Sequence, residues 1–246
     1  MQEHNSKVAL ITGGSRGIGA AIVKQLSAQG AKVAFTYSKS KINAEKLVKE
    51  ISDLGGHAIA IPADSVDVKN IILAVEQTVF LLGQLDILVN NAGLFATGKL
   101  HQLSMDDFDQ TVSINIRAVF AASWQAARHL PDGGRIISIG SCLAPRAGRA
   151  GISLYSMSKS ALVGLTKGLA HDLGPRRITV NLIQPGPTDT DMNPANSPKA
   201  VKTLQSLALP AYGRPEDIAA MVLHLAGPGG NNITGSVIDI DGGFNA

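Results

Sequence analysis

A single cysteine, Cys142, stands in 246 residues, so no disulfide can form within the chain and the sequence suits a reducing compartment. Long runs of one charge are absent: 22 basic and 19 acidic residues are spread along the chain, and a net charge of +3 is too weak to point to nucleic acid. No apolar stretch reaches the length of a membrane span, and the opening MQEHNSKVAL lacks the apolar run of a signal peptide. The six histidines do not fall at metal-ligand spacing with other donors, so no catalytic metal is expected. These absences leave a soluble, cytoplasmic chain with neither a nucleic acid nor a membrane as partner.

What is present is enough apolar material, 45% of residues, for one sizeable core, and a single domain over 1–246 is expected. Apolar runs of strand length occur at 7–12, 31–37, 57–63, 85–90, 135–140, 177–183 and 236–241. Several are apolar on successive residues, as in strands covered on both faces. Helical segments are expected between them at 17–29, 41–54, 67–82, 104–129, 155–173 and 215–226, the first ending at Gly30 and the second at Gly55 and Gly56. Alternating strands and helices imply right-handed crossovers, hence an α/β, Rossmann-like, doubly wound parallel sheet of about seven strands. Residues 184–214, rich in Pro, Ser, Asn and Thr, break the rhythm and read as a lid or a mobile loop, with a substrate loop at 187–213.

The first strand runs into TGGSRGIG, where Gly13, Gly17 and Gly19 allow a tight turn and a close approach of backbone to a pyrophosphate at a helix N-terminus. In YSMSK, Tyr155 and Lys159 are four residues apart, so on a helix they project from one face. Such a pair is either surface decoration or an acid with its cation.

TGGSRGIG at 12–19, NNAG at 90–93, Asn115 in SINIRAVF, Ser141 in SIGS, YSMSK and QPGPTDTDM at 184–192 together resemble a short-chain dehydrogenase/reductase, most closely the 3-oxoacyl-acyl-carrier-protein reductase and carbonyl reductase group. The resemblance runs through nearly the whole chain, to IDIDGGF at 239–244. It implies hydride transfer between a nicotinamide dinucleotide and a carbonyl or secondary alcohol, with Asn115, Ser141, Tyr155 and Lys159 as a catalytic tetrad. Asn115 would hold a relay water and Lys159 the cofactor ribose. Cofactor contacts are implied for Gly13, Ser15, Arg16, Gly17, Ile18 and Gly19, for Asn91, Ala92 and Gly93, and for Asp64 at the adenine. Asn90 would tie neighbouring strands together. Pro185 and Gly186 would start the loop over the nicotinamide, with Thr188 and Thr190 near its carboxamide. A homotetramer is implied as well, with the helix near Tyr155 and the last strand at interfaces.

The chemistry fits these residue types. Hydride addition to a ketone creates an alkoxide that needs a proton donor. Lowering a phenol from about 10 towards neutrality takes about 4 kcal/mol, which an ammonium about 4 Å away supplies at an effective dielectric near 20. The hydroxyl of Ser141 could orient the carbonyl. Cys142 lacks a neighbouring histidine base and is not expected to be a nucleophile. Tyr37 occupies the place of the acid that commonly holds a ribose 2′-hydroxyl, while Arg16, Ser38 and Lys39 could meet a 2′-phosphate, so NADP(H) is expected over NAD(H).

The substrate reads as a 3-oxoacyl thioester or a simple ketone. An acyl carrier protein as partner would call for a basic rim, sought in ARHLPDGGR at 127–135 and in Arg146, Arg149, Arg176 and Arg177. Met192, Leu204, Leu207 and Leu209 would serve an apolar pocket or, more in keeping with their helical spacing, the core. Two alternatives stay open: an alcohol, diol or steroid dehydrogenase of the same fold, and a non-catalytic dinucleotide-binding regulatory protein.

Overall fold

The computed structural model describes residues 4, 6–198 and 200–246. Seven parallel strands form one sheet in the order β3-β2-β1-β4-β5-β6-β7. They are β1 (Val8–Ile11), β2 (Lys32–Tyr37), β3 (His57–Pro62), β4 (Ile87–Asn90), β5 (Arg135–Ile139), β6 (Thr179–Pro185) and β7 (Val237–Ile240). Strands β1, β4, β5 and β6 are buried at every residue, which is why they carry apolar residues in succession, as at Val8–Ile11, Ile87–Val89, Ile136–Ile137 and Leu182–Ile183.

Successive side chains nevertheless leave opposite faces. On β1, Ala9 and Ile11 enter a core layer with Phe35, Ile22 and Leu26, beneath α1 (Gly17–Ala28), α2 (Lys41–Asp53) and α8 (Pro215–Ala226). Leu10, between them, enters the other layer with Leu88, Ile136 and Val180, beneath α3 (Val68–Leu82) and α5 (Ala118–Ala126). The order reverses between β1 and β4, so the carboxyl ends of these two strands frame the crevice where such sheets bind ligands.

The helix expected over 104–129 is instead three pieces: α4 (Met105–Val112), a π-helical turn at Ser113–Arg117, and α5, which ends at Ala126. The cause is Asn115, whose side chain is held by residues on other elements and takes the backbone out of α-helical register. Helix α6 (Ser153–Leu173) starts two residues ahead of Tyr155.

The expected loop at 187–213, apart from residue 199, which lies outside the described residues, is a docked excursion. Thr188 bridges to Gly213, the short helix α7 (Ala200–Leu204) lies between, and the Leu209 amide donates to the Gly242 carbonyl at 2.9 Å. Met192 and Leu209 are exposed, which corrects their expected place in the core. The loop is anchored through its backbone at both ends, so its apolar side chains are not needed to hold it.

Leu88 is fully buried on a central strand, whereas Phe80 on α3 is 86% exposed. Chemical denaturation should show Leu88→Ala lowering the unfolding free energy by about 2–5 kcal/mol. Phe80→Ala should move it by less than about 0.5 kcal/mol. Equal effects would contradict the layer assignment.

Candidate active site

The glycine turn is built by mutual backbone contact at the ends of β1, β2 and β4. Gly13, with φ of 65°, lies against Ala92, and a Cβ placed on it would sit 3.0 Å from the Ala92 Cα. On Gly19 a Cβ would come within 2.3 Å of the Gly13 carbonyl oxygen and 2.6 Å of the Asn91 amide nitrogen. Only hydrogen fits there. The Asn91 amide donates to the carbonyls of Thr12 (3.1 Å) and Gly13 (2.9 Å), while the Thr12 hydroxyl accepts from the Asn91 and Ala92 amides. Asn90, one residue earlier, ties β4 to its neighbours by donating to Ser123 on α5 and Ser138 on β5.

The N-terminus of α1 is therefore pinned facing the crevice. Its N-cap, Arg16, places no side-chain acceptor on the first amides, and the first turn holds no acid. Free N–H groups at the positive end of a helix fit a pyrophosphate. Around this turn, Ser15 is partly buried and Ile18 packs on the core. Tyr37 ends β2 half-buried, with Ser38 and Lys39 exposed after it. Arg16 faces Asp191 at 3.9 Å, with both side chains exposed, and Thr190 lies over Gly17. The segment after β6 thus reaches back across the glycine turn. Asp64, exposed after β3, accepts from the Val66 amide at 3.1 Å, so its carboxylate folds its own turn. Gly186 is pressed on Asp241, and its amide bonds the Ile240 carbonyl at 2.9 Å. The Thr188 hydroxyl donates to the Gly186 carbonyl, so Pro185, Gly186 and Thr188 form the exit of β6 beside β7.

Asn115, Ser141, Tyr155 and Lys159 come together at the carboxyl end of β5. Lys159 is buried, and its ammonium donates to the Ile139 carbonyl, the last of β5, at 2.9 Å. It lies 5.9 Å from the centre of the Tyr155 ring. Gly93 lies against both groups: a Cβ there would be 3.4 Å from the ammonium and 3.6 Å from the Asn115 Oδ1, ordinary contact distances. Asn115 is fully buried; its Oδ1 accepts from the Leu94 amide, and its amide donates to the Leu94 carbonyl and to Ser158. The Ser158 hydroxyl in turn donates to the Tyr155 carbonyl at 2.7 Å. Phe95 meets the Tyr155 ring edge-on at 4.6 Å. The segment after Ser141 is stapled to α6 by Ser156 and Ser160, which donate to the carbonyls of Leu143 and Ala144.

Burial dominates the protonation of this group. It pulls Lys159 down to about 8. Part of the Tyr155 ring reaches the surface, yet burial still pushes its phenol up to about 12, opposed by the Ser141 hydroxyl and reinforced by Cys142. The expectation that Lys159 brings the phenol towards neutrality is therefore corrected for the free protein. The ammonium is turned to a backbone carbonyl and lies 5.9 Å from the ring centre, and burial outweighs it. Cys142, buried, is pushed up to about 12 by burial and by Asp241, which makes it a poor nucleophile as expected. Among the described residues no group of three His, Cys, Asp or Glu could hold a metal ion.

The expected basic rim divides. Residues 127–134 precede β5, and Arg176 and Arg177 precede β6, so all of them lie at the amino ends of the strands, away from the site. There Arg176 pairs with Asp132 at 3.3 Å. Only Arg146 and Arg149 follow the carboxyl end of β5. Sequence reasoning missed Ser158, Phe95 and Leu94. Ser158 sits inside YSMSK, and its place three residues after Tyr155 on the same helix was the available signal.

With this geometry in hand, three comparisons locate the chain. A family model described as Enoyl-(Acyl carrier protein) reductase matches residues 13–245. The Cyclic-di-GMP-binding biofilm dispersal mediator protein of Escherichia coli (strain K12) is 46% identical over 246 residues, covering 100% of both chains. Two solved structures are each 54% identical with a TM-score of 0.98, covering 99% of this chain and 100% of their own. One is a blue fluorescent protein from a metagenomic library in complex with NADPH, the other a short chain dehydrogenase from Burkholderia cenocepacia J2315 in complex with NADP.

A charged Lys159 costs the folded state stability, because its folded value of about 8 lies below the ordinary 10.5. The cost is full below pH 8 and vanishes as pH rises through 10.5, where the unfolded chain also loses its proton. At pH 7 Lys159→Met should raise the unfolding free energy of the cofactor-free protein by about 1–3 kcal/mol. Denaturant titrations from neutral to alkaline pH should show that gain shrinking as pH rises. A pH-independent gap would contradict the burial of a charged lysine.

Proposed function

The chain belongs to the short-chain dehydrogenase/reductase family and is an NADP(H)-dependent oxidoreductase, and we propose that it reduces a simple ketone or a 3-oxoacyl thioester to the secondary alcohol. The observation that carries this reading is the convergence of Ser141, Tyr155 and Lys159 at the carboxyl end of β5, across the switch point from an uncapped helix N-terminus.

NADPH supplies the hydride that adds to the carbonyl carbon. In this reading the Ser141 hydroxyl donates to the carbonyl oxygen and holds it beside the phenol. Tyr155 gives that oxygen its proton as charge develops. With its value near 12, the phenol stays protonated at neutral pH. It is still a stronger acid than the alcohol being formed, so the proton passes to the developing alkoxide. Lys159 stabilises the phenolate left behind and holds the cofactor ribose. Both N–H groups of the Asn115 amide are already engaged, so Asn115 acts as a brace for Leu94 and Ser158, and only its Oδ1 and backbone are open to a relay water.

The residues fit NADP(H). The first amides of α1 would take the pyrophosphate, and Arg16, Ser38 and Lys39 would meet a 2′-phosphate, with no acid between residues 31 and 44. The remaining cofactor contacts are those at Asp64, Asn91, Ala92, Gly93, Pro185, Gly186, Thr188 and Thr190. Of the basic residues expected at the rim, Arg146 and Arg149 alone follow the carboxyl end of β5, and a free ketone is favoured over a substrate carried on an acidic protein. Assembly as a homotetramer, in the cytoplasm, belongs to the same reading; α6 offers Met157, Gly164 and Gly168 at its surface and β7 forms the sheet edge. A second reading, a regulatory protein that uses the site for binding, draws on the name of the Escherichia coli relative.

Oxidation of NADPH and NADH at 340 nm, with an aryl ketone and a short 3-oxoacyl thioester, separates these readings. NADPH should be preferred at least tenfold in kcat/KM, and Tyr155→Phe should lose about 10²–10⁴-fold in kcat while still binding NADPH. Tight NADPH binding without turnover on either substrate, together with saturable binding of cyclic-di-GMP, would favour the regulatory reading.

A further inference from the structure

The turn that follows β7 reaches the segment that carries Ser141. Both oxygens of the Asp241 carboxylate are spent inside this turn, accepting from the Gly243 amide at 2.9 Å and the Asn245 amide at 3.0 Å. The Asn245 side chain then donates to the Cys142 carbonyl at 2.9 Å. That carbonyl belongs to the peptide between Cys142 and Leu143, and the N–H of the same peptide, on Leu143, donates to the Ser141 hydroxyl oxygen at 3.1 Å. A peptide unit is planar and rigid, so fixing its carbonyl aims its N–H. The preceding peptide is fixed separately, since the Cys142 amide donates to the Pro185 carbonyl at 2.9 Å. Beside it, Arg146 donates to the Phe244 carbonyl at 3.0 Å, and its guanidinium lies 5.7 Å over the Phe244 ring.

We propose that Asn245 is a positioning residue for the Ser141 hydroxyl, acting through the Cys142–Leu143 peptide, with Asp241 setting Asn245. The Leu143 N–H occupies one lone pair of the Ser141 oxygen, so its own proton points away from that peptide, on the side of the Tyr155 phenol where a substrate carbonyl would lie. If that peptide rotates, the hydroxyl is no longer held in one direction. This proposal rests on the reading of Ser141 as the group that orients the carbonyl.

The test measures steady-state kinetics with a ketone that the wild-type protein turns over, and NADPH affinity by fluorescence titration, for Asn245→Ala, Asn245→Asp, Ser141→Ala and the double variant Ser141→Ala/Asn245→Ala. Asn245→Ala should lower kcat about five- to tenfold, the worth of one hydrogen bond, with the NADPH dissociation constant unchanged. Asn245→Asp, equal in shape but without the N–H donor, should fall at least as far, and it keeps the test alive should the alanine variant fold poorly. In the Ser141→Ala background, removing Asn245 should cost nothing further, because the group it positions is gone. An unchanged kcat in both Asn245 variants, or an equal loss with and without Ser141, overturns the proposal. If Ser141→Ala itself leaves kcat unchanged, the underlying reading of Ser141 fails first.

Discussion

A lysine ammonium buried at the carboxyl end of a parallel sheet is the constraint to which the surrounding structure is fitted. Lys159 is only 4% exposed, and burial works against its charge. The last carbonyl of β5 offers the ammonium an acceptor, and Gly93 lies against it. Asn115 and Ser158, both fully buried, lock the neighbouring backbone of Leu94 and Tyr155. The π-helical turn at Ser113–Arg117 follows from the same demand, since it lets Asn115 meet partners 21 and 43 residues away in the chain. A charge held this way works against the stability of the fold.

The second half of the site depends on closeness of backbone rather than on charge. Gly13 and Gly19 admit no side chain, so the start of α1 is held against the end of β4, and Asn91 and Thr12 complete the join. Because β1 and β4 are neighbours only where the strand order reverses, this join and the Lys159 cluster face one crevice. The segment after β6 closes the arrangement by laying Thr190 over Gly17 and Asp191 beside Arg16.

Much of this was legible in the residues. Strand positions could be read because buried parallel strands are apolar on successive residues, as at β1 and β6. The glycine turn and YSMSK were legible because each encodes a local geometry. The π-helical turn was not, since its cause lies in long-range contacts of one asparagine. Nor was the end of the sheet on which a loop lies: Arg176 and Arg177 are near Arg146 and Arg149 in composition but at opposite ends of the strands. The protonation of Tyr155 depends on burial and on where the Lys159 ammonium points, neither of which spacing along a helix reveals. Asn245 carried no signal at all, being one polar residue in a glycine-rich turn.

Burial holds the proton on Tyr155 in the free protein, and the proposed proton transfer calls for a phenolate that Lys159 and a bound cationic nicotinamide would stabilise. Tyrosinate absorbance at 295 nm, followed against pH as the difference between wild type and Tyr155→Phe, measures this directly with and without NADP⁺. The account predicts no Tyr155 signal up to pH 10 in the free protein and a signal appearing below pH 10 when NADP⁺ is bound. A phenolate already present below pH 10 in the free protein, or none below pH 10 with NADP⁺ bound, would contradict it.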